Sequence, residues 1–283
     1  MTVLEAIRLT TEFFEKKGIE SPRTNAEILL AHILKCKRLD LYLAFDKPLK
    51  EDEVLQYREY LKRRAANEPL QYIIGEVEFY GMPFKVNPSV LIPRQETEIL
   101  IDVIINTLDK TKPYSILDIG TGTGNIPVVL AKHFPESHLF TIDVSDEAIS
   151  LAKENAELNH LEEKVTFIKG DILDKNLSLG QTFDVIVSNP PYVSLDQYKD
   201  LQPEITRFEP KNAVTDNADG YTFYRTISIR AMELLNGGGR LFFEAGQGQS
   251  VTVSELMKAA GFKNVTVKKD YLNIERVIYG EKD

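Results

Sequence analysis

This chain of 283 residues contains one cysteine, no tryptophan and only four histidines. The single thiol, Cys36, excludes an internal disulfide and a cysteine-based metal cluster, and free cysteines are usually buried. His32, His133, His138 and His160 show no spacing typical of metal ligands, so we expect no metal site. No apolar run approaches the roughly 20 residues that a membrane-spanning helix needs, and the N-terminus lacks the basic start and apolar core of a secretory signal. We therefore expect a folded, cytoplasmic protein without a membrane partner.

The chain has a net charge of −9 at pH 7, and this charge is unevenly distributed. Residues 1–75 carry 13 basic and 12 acidic side chains, whereas the remaining residues carry 21 and 31. A surface that binds nucleic acid is normally basic, because it must neutralise phosphates. The acidic remainder of the chain therefore argues against nucleic acid as a direct partner.

Helical periodicity dominates residues 1–75. Apolar residues recur at three- and four-residue spacing from Val3 to Phe14, and Ser21-Pro22 is typical of an N-cap followed by proline in the first turn of a second helix. The pattern from Leu39 to Phe45 predicts a short helix, and that from Glu51 to Ala66 predicts a longer one. Together they predict a small helical bundle without a chemical motif. We interpret it as a substrate-docking domain, and a purely stabilising appendage is the alternative.

Residues 76–93 predict a β-hairpin that links this bundle to a second domain. Alternating residues in Glu76–Tyr80 and Phe84–Val86 flank a predicted turn at Gly81-Met82-Pro83. From residue 94 to residue 283, helical patterns alternate with strand patterns. The predicted strands are Ser115–Ile119, Leu139–Asp143, Val165–Lys169, Phe183–Ser188, Gly239–Ala245, Val265–Lys269 and Glu275–Tyr279. This alternation predicts an α/β fold with a doubly wound, mainly parallel, seven-stranded Rossmann-like sheet.

Asn189-Pro190-Pro191-Tyr192 follows directly on the fourth of these strands. Open α/β sheets bind their ligands at the carboxyl ends of the strands. Two consecutive prolines fix φ and remove two N–H donors, so the carbonyls of Asn189 and Pro190 are held stiffly and can face a guest. Rigid acceptors beside the Tyr192 ring suit a planar group that carries an NH2, either an amide or an exocyclic amine. Phe79 and Tyr80 of the hairpin are further candidates to stack on that group.

A glycine loop, Gly120-Thr121-Gly122-Thr123-Gly124, follows the first strand and opens a predicted helix. Glycine allows tight bending and close approach of a ligand, and the helix start offers N–H donors. The dinucleotide fingerprint requires Gly-x-Gly-x-x-Gly, and here Asn125 occupies the third glycine position, which argues against NAD. At the end of the second strand, Asp143 is placed to accept hydrogen bonds from both hydroxyls of a ribose. Gly170-Asp171-Ile172 ends the third strand and offers an acceptor and an apolar wall for an adenine ring.

In their order on successive strand ends, these elements resemble the class I S-adenosylmethionine-dependent methyltransferases, whose Asp-x-Gly-x-Gly-x-Gly loop and second-strand acid hold the cofactor. The resemblance implies S-adenosyl-L-methionine as methyl donor and S-adenosyl-L-homocysteine as product. The implied cofactor contacts are Gly120, Thr121, Gly122, Thr123, Gly124, Asp143, Val144, Asp171, Ile172 and Asn189.

Flanking segments sharpen this resemblance to a single family. The segments are Pro69-Leu70-Gln71-Tyr72-Ile73-Ile74-Gly75, Phe79-Tyr80-Gly81, Leu91-Ile92-Pro93-Arg94-Gln95-Glu96-Thr97-Glu98, Ser188-Asn189-Pro190-Pro191-Tyr192 and Arg207-Phe208-Glu209-Pro210. Over essentially the whole chain they resemble the protein-(glutamine-N5) methyltransferases of peptide chain release factors, the PrmC/HemK family. The resemblance implies methylation of the glutamine side-chain amide in the Gly-Gly-Gln motif of class I release factors, and so a role in translation termination. It implies Asn189, Pro190, Pro191 and Tyr192 as catalytic and substrate-binding residues, and we expect a monomer.

Two other functional classes stay open at this point. An N6-adenine nucleic-acid methyltransferase uses a similar Asn-Pro-Pro-aromatic element, because adenine also presents a planar conjugated amine. Such an enzyme must flip a base and follow phosphates, which the acidic second part of the chain disfavours. A non-catalytic S-adenosylmethionine-binding scaffold would keep the cofactor loop without the chemistry.

Overall fold

The computed structural model describes all 283 residues and divides into two compact units. The first unit consists of Met1–Gly75 together with Gln202–Phe208. The second unit consists of Glu76–Leu201 and Glu209–Asp283. None of the helices combines the length and the apolar character that crossing a membrane requires.

Twelve α-helices and nine β-strands make up the two units. The helices are α1 (Val3–Lys16), α2 (Pro22–Leu34), α3 (Glu51–Ala65), α4 (Leu70–Ile74), α5 (Glu96–Thr107), α6 (Asn125–His133), α7 (Asp146–Leu158), α8 (Leu195–Tyr198), α9 (Pro203–Phe208), α10 (Lys211–Val214), α11 (Thr222–Leu234) and α12 (Ser250–Ala260). The strands are β1 (Glu76–Phe79), β2 (Met82–Lys85), β3 (Ser115–Ile119), β4 (His138–Asp143), β5 (Val165–Lys169), β6 (Phe183–Ser188), β7 (Leu235–Glu244), β8 (Lys263–Lys269) and β9 (Glu275–Glu281).

The first unit is helical, and its core is formed by the apolar faces of α1 and α2 with residues of α3 and α4. A capping box starts α1, since Glu5 N donates to Thr2 Oγ1 at 3.2 Å and Thr2 N donates to Glu5 Oε2 at 2.8 Å. The predicted short helix after α2 is a 3₁₀ helix, Arg38–Leu43. Burial of the apolar residues that recur along α1, including Val3 and Phe14, accounts for the periodicity of the sequence.

Ser21 is the N-cap residue of α2 and Pro22 opens the helix, as predicted, but the Ser21 side chain does not cap the helix by a hydrogen bond. Its φ of 49° lies in the left-handed region, and its side chain makes no capping hydrogen bond. Instead, Asn25 Nδ2 donates to the main-chain oxygens of Glu20 and Ser21, at 3.0 and 3.1 Å. The sequence pattern gave the position of the helix start but not the group that stabilises it.

Helix α9 belongs to the first unit, although about 130 residues separate it in sequence from α4. Arg64 of α3 is 3% exposed, and its Nη2 lies 2.5 Å from Glu204 Oε1 of α9. Arg64 Nε also donates to Asn25 Oδ1 of α2 at 2.7 Å. Because a buried guanidinium needs acceptors on every side, this network requires α9 in place.

The second unit is built on a seven-stranded sheet with the order β5-β4-β3-β6-β7-β9-β8. Strands β3 to β7 are parallel, and β9 runs antiparallel to both β7 and β8. The predicted α/β fold with a mainly parallel, seven-stranded sheet is confirmed. The strands predicted for β3, β5 and β6 have the observed bounds, whereas β7 begins at Leu235, four residues earlier than predicted.

Side chains alternate between the two faces of this sheet, as the pleat of a strand requires. In β6, Val185 and Val187 point into a core with α5 and α6, and Ile186 points into a second core with α11 and α12. In β7, Phe242 joins the first core and Phe243 the second. Both faces are therefore covered, and this explains why the central strands are continuously apolar in sequence.

The hairpin of β1 and β2 is part of the second unit. Its turn is shorter than predicted, because Tyr80 and Gly81 alone form it, with φ of 52° and 69°. Met82 and Pro83 lie in β2, where Pro83 is paired with Glu78. The buried side chains of the hairpin, Phe79, Met82 and Phe84, pack into the core of α5 and α6.

Candidate active site

A cleft opens at the carboxyl ends of β3 and β6, where the strand order of the sheet reverses. This switch point is where open α/β sheets bind ligands. The cleft and the open solvent space at its mouth together have a volume of about 960 Å³. Predicted site residues that line it are Gly120, Gly122, Asp143, Val144, Asp171, Ile172, Asn189, Pro190 and Pro191. The fold therefore brings together nine of the predicted site residues from the ends of four strands.

Two glycines of the loop line the cleft, and the third packs against α7. Gly120 and Gly122 line the cleft with φ of 82° and 52°, and a Cβ on either would meet no atom within 4 Å. The loop main chain thus lies open to a guest, in a conformation that other residues rarely adopt. At Gly124 a Cβ would lie 3.0 Å from the Cβ of Ala152 in α7, so this glycine allows close packing instead.

Thr121 and Thr123 are buried beneath the loop and do not line the cleft. Asn155 of α7 donates through Nδ2 to the main-chain oxygen of Thr123 at 2.9 Å, and Thr123 Oγ1 donates to Asn125 Oδ1 at 2.9 Å. Asn155 Oδ1 also accepts a hydrogen bond from the Lys85 N–H at 2.7 Å. The hydrogen bonds of Thr123 therefore connect the loop to α7 and to the start of α6.

Asp143 joins the ends of two strands. Its Oδ2 accepts the Gly122 N–H at 3.0 Å, and its Oδ1 accepts the Ser145 N–H at 3.0 Å. A carboxylate oxygen has lone pairs for more than one donor, so Asp143 keeps acceptor capacity toward the cleft. Beside it, Val144 leaves 52% of its surface exposed, which gives this wall an apolar surface.

Asp118 lies one residue before the end of β3 and is fully buried beneath the loop. Thr141 Oγ1 donates to its Oδ2 at 2.8 Å, while Oδ1 has no hydrogen-bond partner. Burial raises the pKa of this carboxyl to about 7, because a charge is disfavoured in an apolar interior. Asp118 is the first residue of the Asp-x-Gly-x-Gly-x-Gly sequence. It does not line the cleft, because it is buried below the loop.

The residues after β5 combine an exposed acid with a buried apolar side chain. Asp171 Oδ1 accepts the Leu173 N–H at 2.8 Å, which fixes the turn, and Ile172 is buried. At Gly170 a Cβ would approach side-chain atoms of Ile142 and Leu177 to 2.9 Å. A larger residue in place of this glycine would require the terminal methyl groups of Ile142 and Leu177 to shift.

Asn189, Pro190 and Pro191 line the cleft directly after β6. Asn189 Nδ2 donates to Thr97 Oγ1 of α5 at 3.0 Å, which directs the nitrogen of this amide away from the solvent. Behind it lies the buried carboxyl of Glu244, whose pKa is raised to about 7 by burial. In the predicted Asn-Pro-Pro acceptor element, the Asn189 side chain is therefore held by a hydrogen bond to Thr97.

Tyr192 does not line the cleft. Its ring packs against the core of α11 and α12, and its burial raises the pKa of the hydroxyl. Gln249 Nε2 donates to its main-chain oxygen at 2.9 Å. The hairpin aromatics also lie elsewhere, because Phe79 is in the core and the Tyr80 hydroxyl donates to Asp102 Oδ1 at 2.7 Å.

Sequence reasoning missed several residues that line the cleft. They are Ser89, Val90, Leu91, Ile119, Ile142, Ser145, Ala148, Leu173, Ser188, Pro210, Asn212, Ala213, Phe223 and Ile227. Of these, Leu91, Ser188 and Pro210 lie in segments that carry the family resemblance, but they had no predicted role at the site. Phe223 and Ile227 lie four residues apart on α11. This spacing is typical of a helix face buried in a core, so it does not indicate a ligand site. The segments at Ser89 and Pro210 have no chemical motif of their own.

An ion pair connects these two missed segments. Arg94 Nη2 lies 2.5 Å from Glu209 Oε1, and the Ile92 N–H donates to Glu209 Oε2 at 3.3 Å. The Glu209 side chain is 2% exposed, and each of its two oxygens contacts one of these groups. The pair connects the two chain segments at the rim of the cleft.

The structure contains no group of three or more His, Cys, Asp or Glu side chains that could hold a metal ion.

A glycine loop, a carboxylate after the next strand and a fixed amide with two prolines after β6 form one cleft on a Rossmann-like sheet. This is the architecture of a methyltransferase. Comparison with known proteins agrees, because residues 110–278 match a methyltransferase domain family and residues 5–75 match the PrmC N-terminal domain.

Full-length relatives define the family. The release factor glutamine methyltransferase of Fusobacterium nucleatum is 40% identical over 280 residues, which cover 99% of this chain and 78% of that protein. The protein of the same name from Rhodopirellula baltica is 39% identical over 288 residues, covering 99% of this chain and 96% of that protein. The chain belongs to the release factor glutamine methyltransferase family.

Solved structures support the fold. The catalytic domain of hMettl16, in complex with a MAT2A 3'UTR hairpin, has a TM-score of 0.56 and 17% identity, covering 82% of this chain and 80% of that one. A methyltransferase from Pyrococcus furiosus has a TM-score of 0.52 and 18% identity, covering 82% of this chain and 99% of that one.

Proposed function

We propose that this enzyme transfers a methyl group from S-adenosyl-L-methionine to the side-chain amide nitrogen of the glutamine in the Gly-Gly-Gln motif of class I peptide chain release factors. The observation that carries the proposal is that Asn189, Pro190 and the glycine loop line one cleft. The names of the full-length relatives support the substrate. The effect of this methylation would be to modulate translation termination.

The residues of the cleft fit S-adenosyl-L-methionine. The open main chain of Gly120 and Gly122 suits a polar group at close range, and Asp143 has acceptor capacity for ribose hydroxyls. Val144 and Ile172 offer apolar surface beside the exposed carboxylate of Asp171, as an adenine ring with its amine requires. When bound, the cofactor supplies an electrophilic methyl group and leaves as S-adenosyl-L-homocysteine.

The reacting amide nitrogen needs help from the enzyme. Its lone pair is delocalised into the carbonyl group, the same resonance that flattens a peptide bond. Asn189 Oδ1 and the Pro190 carbonyl are two acceptors that could hold both N–H bonds of the amide. Two such acceptors favour a more pyramidal nitrogen and stabilise the positive charge that develops as the new bond forms.

Methyl transfer leaves the nitrogen positively charged, and it then loses one proton to solvent water, so no strong base has to touch it. Pro190 and Pro191, which follow Asn189, have no N–H donors, so their main chain offers the substrate amide carbonyl oxygens only. Tyr192 contributes by packing behind this element, where its carbonyl is bonded by Gln249. We propose that Tyr192 stiffens the Asn-Pro-Pro segment and stacks on substrate only if its ring turns toward the cleft.

We propose the helical first unit as the docking domain for the folded release factor. It has no group of its own for the chemistry, and its surface carries exposed apolar side chains such as Leu39 and Leu43, which are 72% and 91% exposed. Exposed leucines of this kind are suited to contacting the surface of another protein. The β-hairpin of residues 76–93 and the domain of residues 94–283 would then supply the cofactor and amide sites, with the enzyme acting as a monomer.

The alternatives from the sequence are not favoured. An N6-adenine nucleic-acid methyltransferase would need a basic path for phosphates, and residues 76–283 are strongly acidic. A non-catalytic scaffold has no need of an Asn189 side chain fixed at the cleft wall. Labelled S-adenosyl-L-methionine separates the three, when it is mixed with the enzyme and either a class I release factor, an adenine oligonucleotide or no substrate. Label in the release factor alone is the expected result, and label in the oligonucleotide would contradict the proposal.

A further inference from the structure

Three polar side chains from different elements meet behind the cleft wall. Asn189 follows β6, Thr97 lies in the first turn of α5, and Glu244 ends β7. Strands β6 and β7 are parallel neighbours in which Ser188 pairs with Phe243, so Asn189 and Glu244 occupy the next positions of this register. Thr97 and Glu244 are 2% and 1% exposed. Buried polar groups of this kind require partners, and the Asn189 amide, the Thr97 hydroxyl and one oxygen of Glu244 find them in one another.

The hydrogen bonds in this cluster have a direction. Asn189 Nδ2 donates to Thr97 Oγ1 at 3.0 Å. The Glu244 carboxyl interacts by hydrogen bonds with the side chains of Thr97 and Asn189, while its Oε2 has no partner. A hydroxyl has one hydrogen to donate, and an ionised carboxylate can only accept. Because Thr97 gives its hydrogen to Glu244, Thr97 can only accept from Asn189. The Glu244 carboxylate also accepts from Asn189, and both acceptors select Nδ2 over Oδ1.

We propose that Thr97 and the Glu244 carboxylate are positioning residues, which hold the Asn189 amide with Oδ1 free to accept a hydrogen bond from the substrate amide. The inference rests on the proposed function of Asn189. Neither residue lines the cleft, so each acts through Asn189. Without them the Asn189 amide could turn over and present N–H donors to a substrate group that itself needs acceptors.

Protonation of Glu244 would allow this direction to reverse. Burial raises the pKa of Glu244 to about 7, against the opposing effects of the Thr97 hydrogen bond and of Arg276. The titratable and charged groups that face it are Glu96 of α5, Arg276 of β9, Tyr192 after β6 and Tyr224 of α11. A protonated carboxyl can donate to Thr97, which frees the hydroxyl to donate to Asn189. Methyl transfer should therefore rise with pH as Glu244 ionises.

Two substitutions at Thr97 provide a matched pair. Thr97→Val keeps the shape of the side chain and removes the hydroxyl, whereas Thr97→Ser keeps the hydroxyl. In single-turnover methylation of a class I release factor with saturating cofactor, we expect Thr97→Val to be about tenfold slower than wild type, the effect of one lost hydrogen bond. Thr97→Ser should stay within about twofold of wild type, since its hydroxyl can replace the lost contact. Affinity for S-adenosyl-L-methionine, measured by calorimetry, should be the same in both variants.

Glu244→Gln supplies a second readout that does not depend on turnover. The side-chain amide NMR signal of Asn189 should titrate with a midpoint near 7 in wild type and lose this titration in Glu244→Gln. The rate of transfer should show the same inflection in wild type alone. If Thr97→Val does not fold, this comparison of wild type with Glu244→Gln decides the question.

The outcomes separate this inference from the proposed function. An active wild type with equal rates in Thr97→Val and Thr97→Ser would overturn the inference and leave the function standing. The same inflection in wild type and Glu244→Gln would also overturn it. A wild type that transfers no methyl to any release factor would overturn the proposed function, and the inference with it.

Discussion

The Gly122 N–H donates a hydrogen bond to Asp143 Oδ2 at 3.0 Å, so the loop after β3 and the acid after β4 are joined before any ligand binds. Asp143 also accepts the Ser145 N–H, at the start of α7. One carboxylate thus sets the position of a main chain that faces the cleft and of the residues that follow β4. A preformed site of this kind loses little conformational entropy when a ligand binds.

Asp143→Ala should weaken binding of S-adenosyl-L-methionine at least about tenfold. The variant loses the ribose acceptor and the anchor of Gly122, and a hydrogen bond to a charged group contributes about 1.5–3 kcal/mol. Calorimetric titration measures the change. Asp146→Ala is a suitable control, because Asp146 is an exposed neighbour whose partner is Lys169. Equal affinity in wild type and Asp143→Ala would exclude the ribose role.

Asn189→Ala should abolish most methyl transfer and change cofactor affinity comparatively little. The variant loses one preorganised acceptor in the transition state, a loss that typically costs about 10²–10³ in rate. The glycine loop and Asp143 are untouched. Single-turnover methylation at saturating substrate gives the rate, and calorimetry gives the affinity. Near-normal chemistry in this variant would mean that Asn189 is structural and that the amide is held elsewhere.

Asp118→Asn should flatten the dependence of stability on pH. In the folded protein burial raises the pKa of Asp118 to about 7, whereas the unfolded chain has the ordinary, lower value. The folded state therefore keeps a proton that the unfolded state has lost. The stabilisation is complete below the unfolded pKa and disappears as pH rises through about 7, by about 1.4 kcal/mol per pH unit between the two values.

Urea unfolding from about pH 5 to about pH 8 measures this effect as the difference between wild type and Asp118→Asn. The difference is needed because Glu244, whose pKa burial also raises, contributes a similar slope to both proteins. Asp196→Asn is the control, since its hydrogen bond with Lys199 lowers the pKa of the exposed Asp196. Parallel curves for wild type and Asp118→Asn would show that Asp118 does not titrate in this range.

Leu43→Ser in the first unit should raise KM for an intact release factor. A short Gly-Gly-Gln peptide should be methylated as before, because it has no folded surface to dock. Leu272→Ser in the second unit is the matched control, since Leu272 is also exposed, at 80%. Equal KM values for the intact factor in Leu43→Ser, Leu39→Ser and wild type would argue against docking at these leucines. A deletion of residues 1–75 is less suitable, because it would leave Glu204 of α9 without Arg64.

The sequence could predict the sheet and most of the cleft because both depend on local patterns. Buried parallel strands are apolar throughout, and polar motifs directly after them meet at one edge of the sheet. Asp143 and Asn189 follow from this logic. The burial of Tyr192 does not, since the same aromatic side chain suits a cleft wall or a core.

Other features depend on contacts between residues far apart in the chain. The pairing of Arg64 with Glu204 spans 140 positions and brings α9 into the first unit. Asn189 meets Thr97 across 92 positions, and no spacing rule connects them. Only the folded chain shows that a threonine and a glutamate lie behind the asparagine at the cleft wall.

We propose that the enzyme methylates the amide nitrogen of one glutamine side chain. The most direct measurement is mass spectrometry of a class I release factor after incubation with the enzyme and S-adenosyl-L-methionine, with fragmentation across the Gly-Gly-Gln motif. We expect one added methyl group on the glutamine side chain, absent with Asn189→Ala enzyme and absent when that glutamine is replaced by glutamate. An unmodified glutamine, or a methyl group on another residue, would contradict the account.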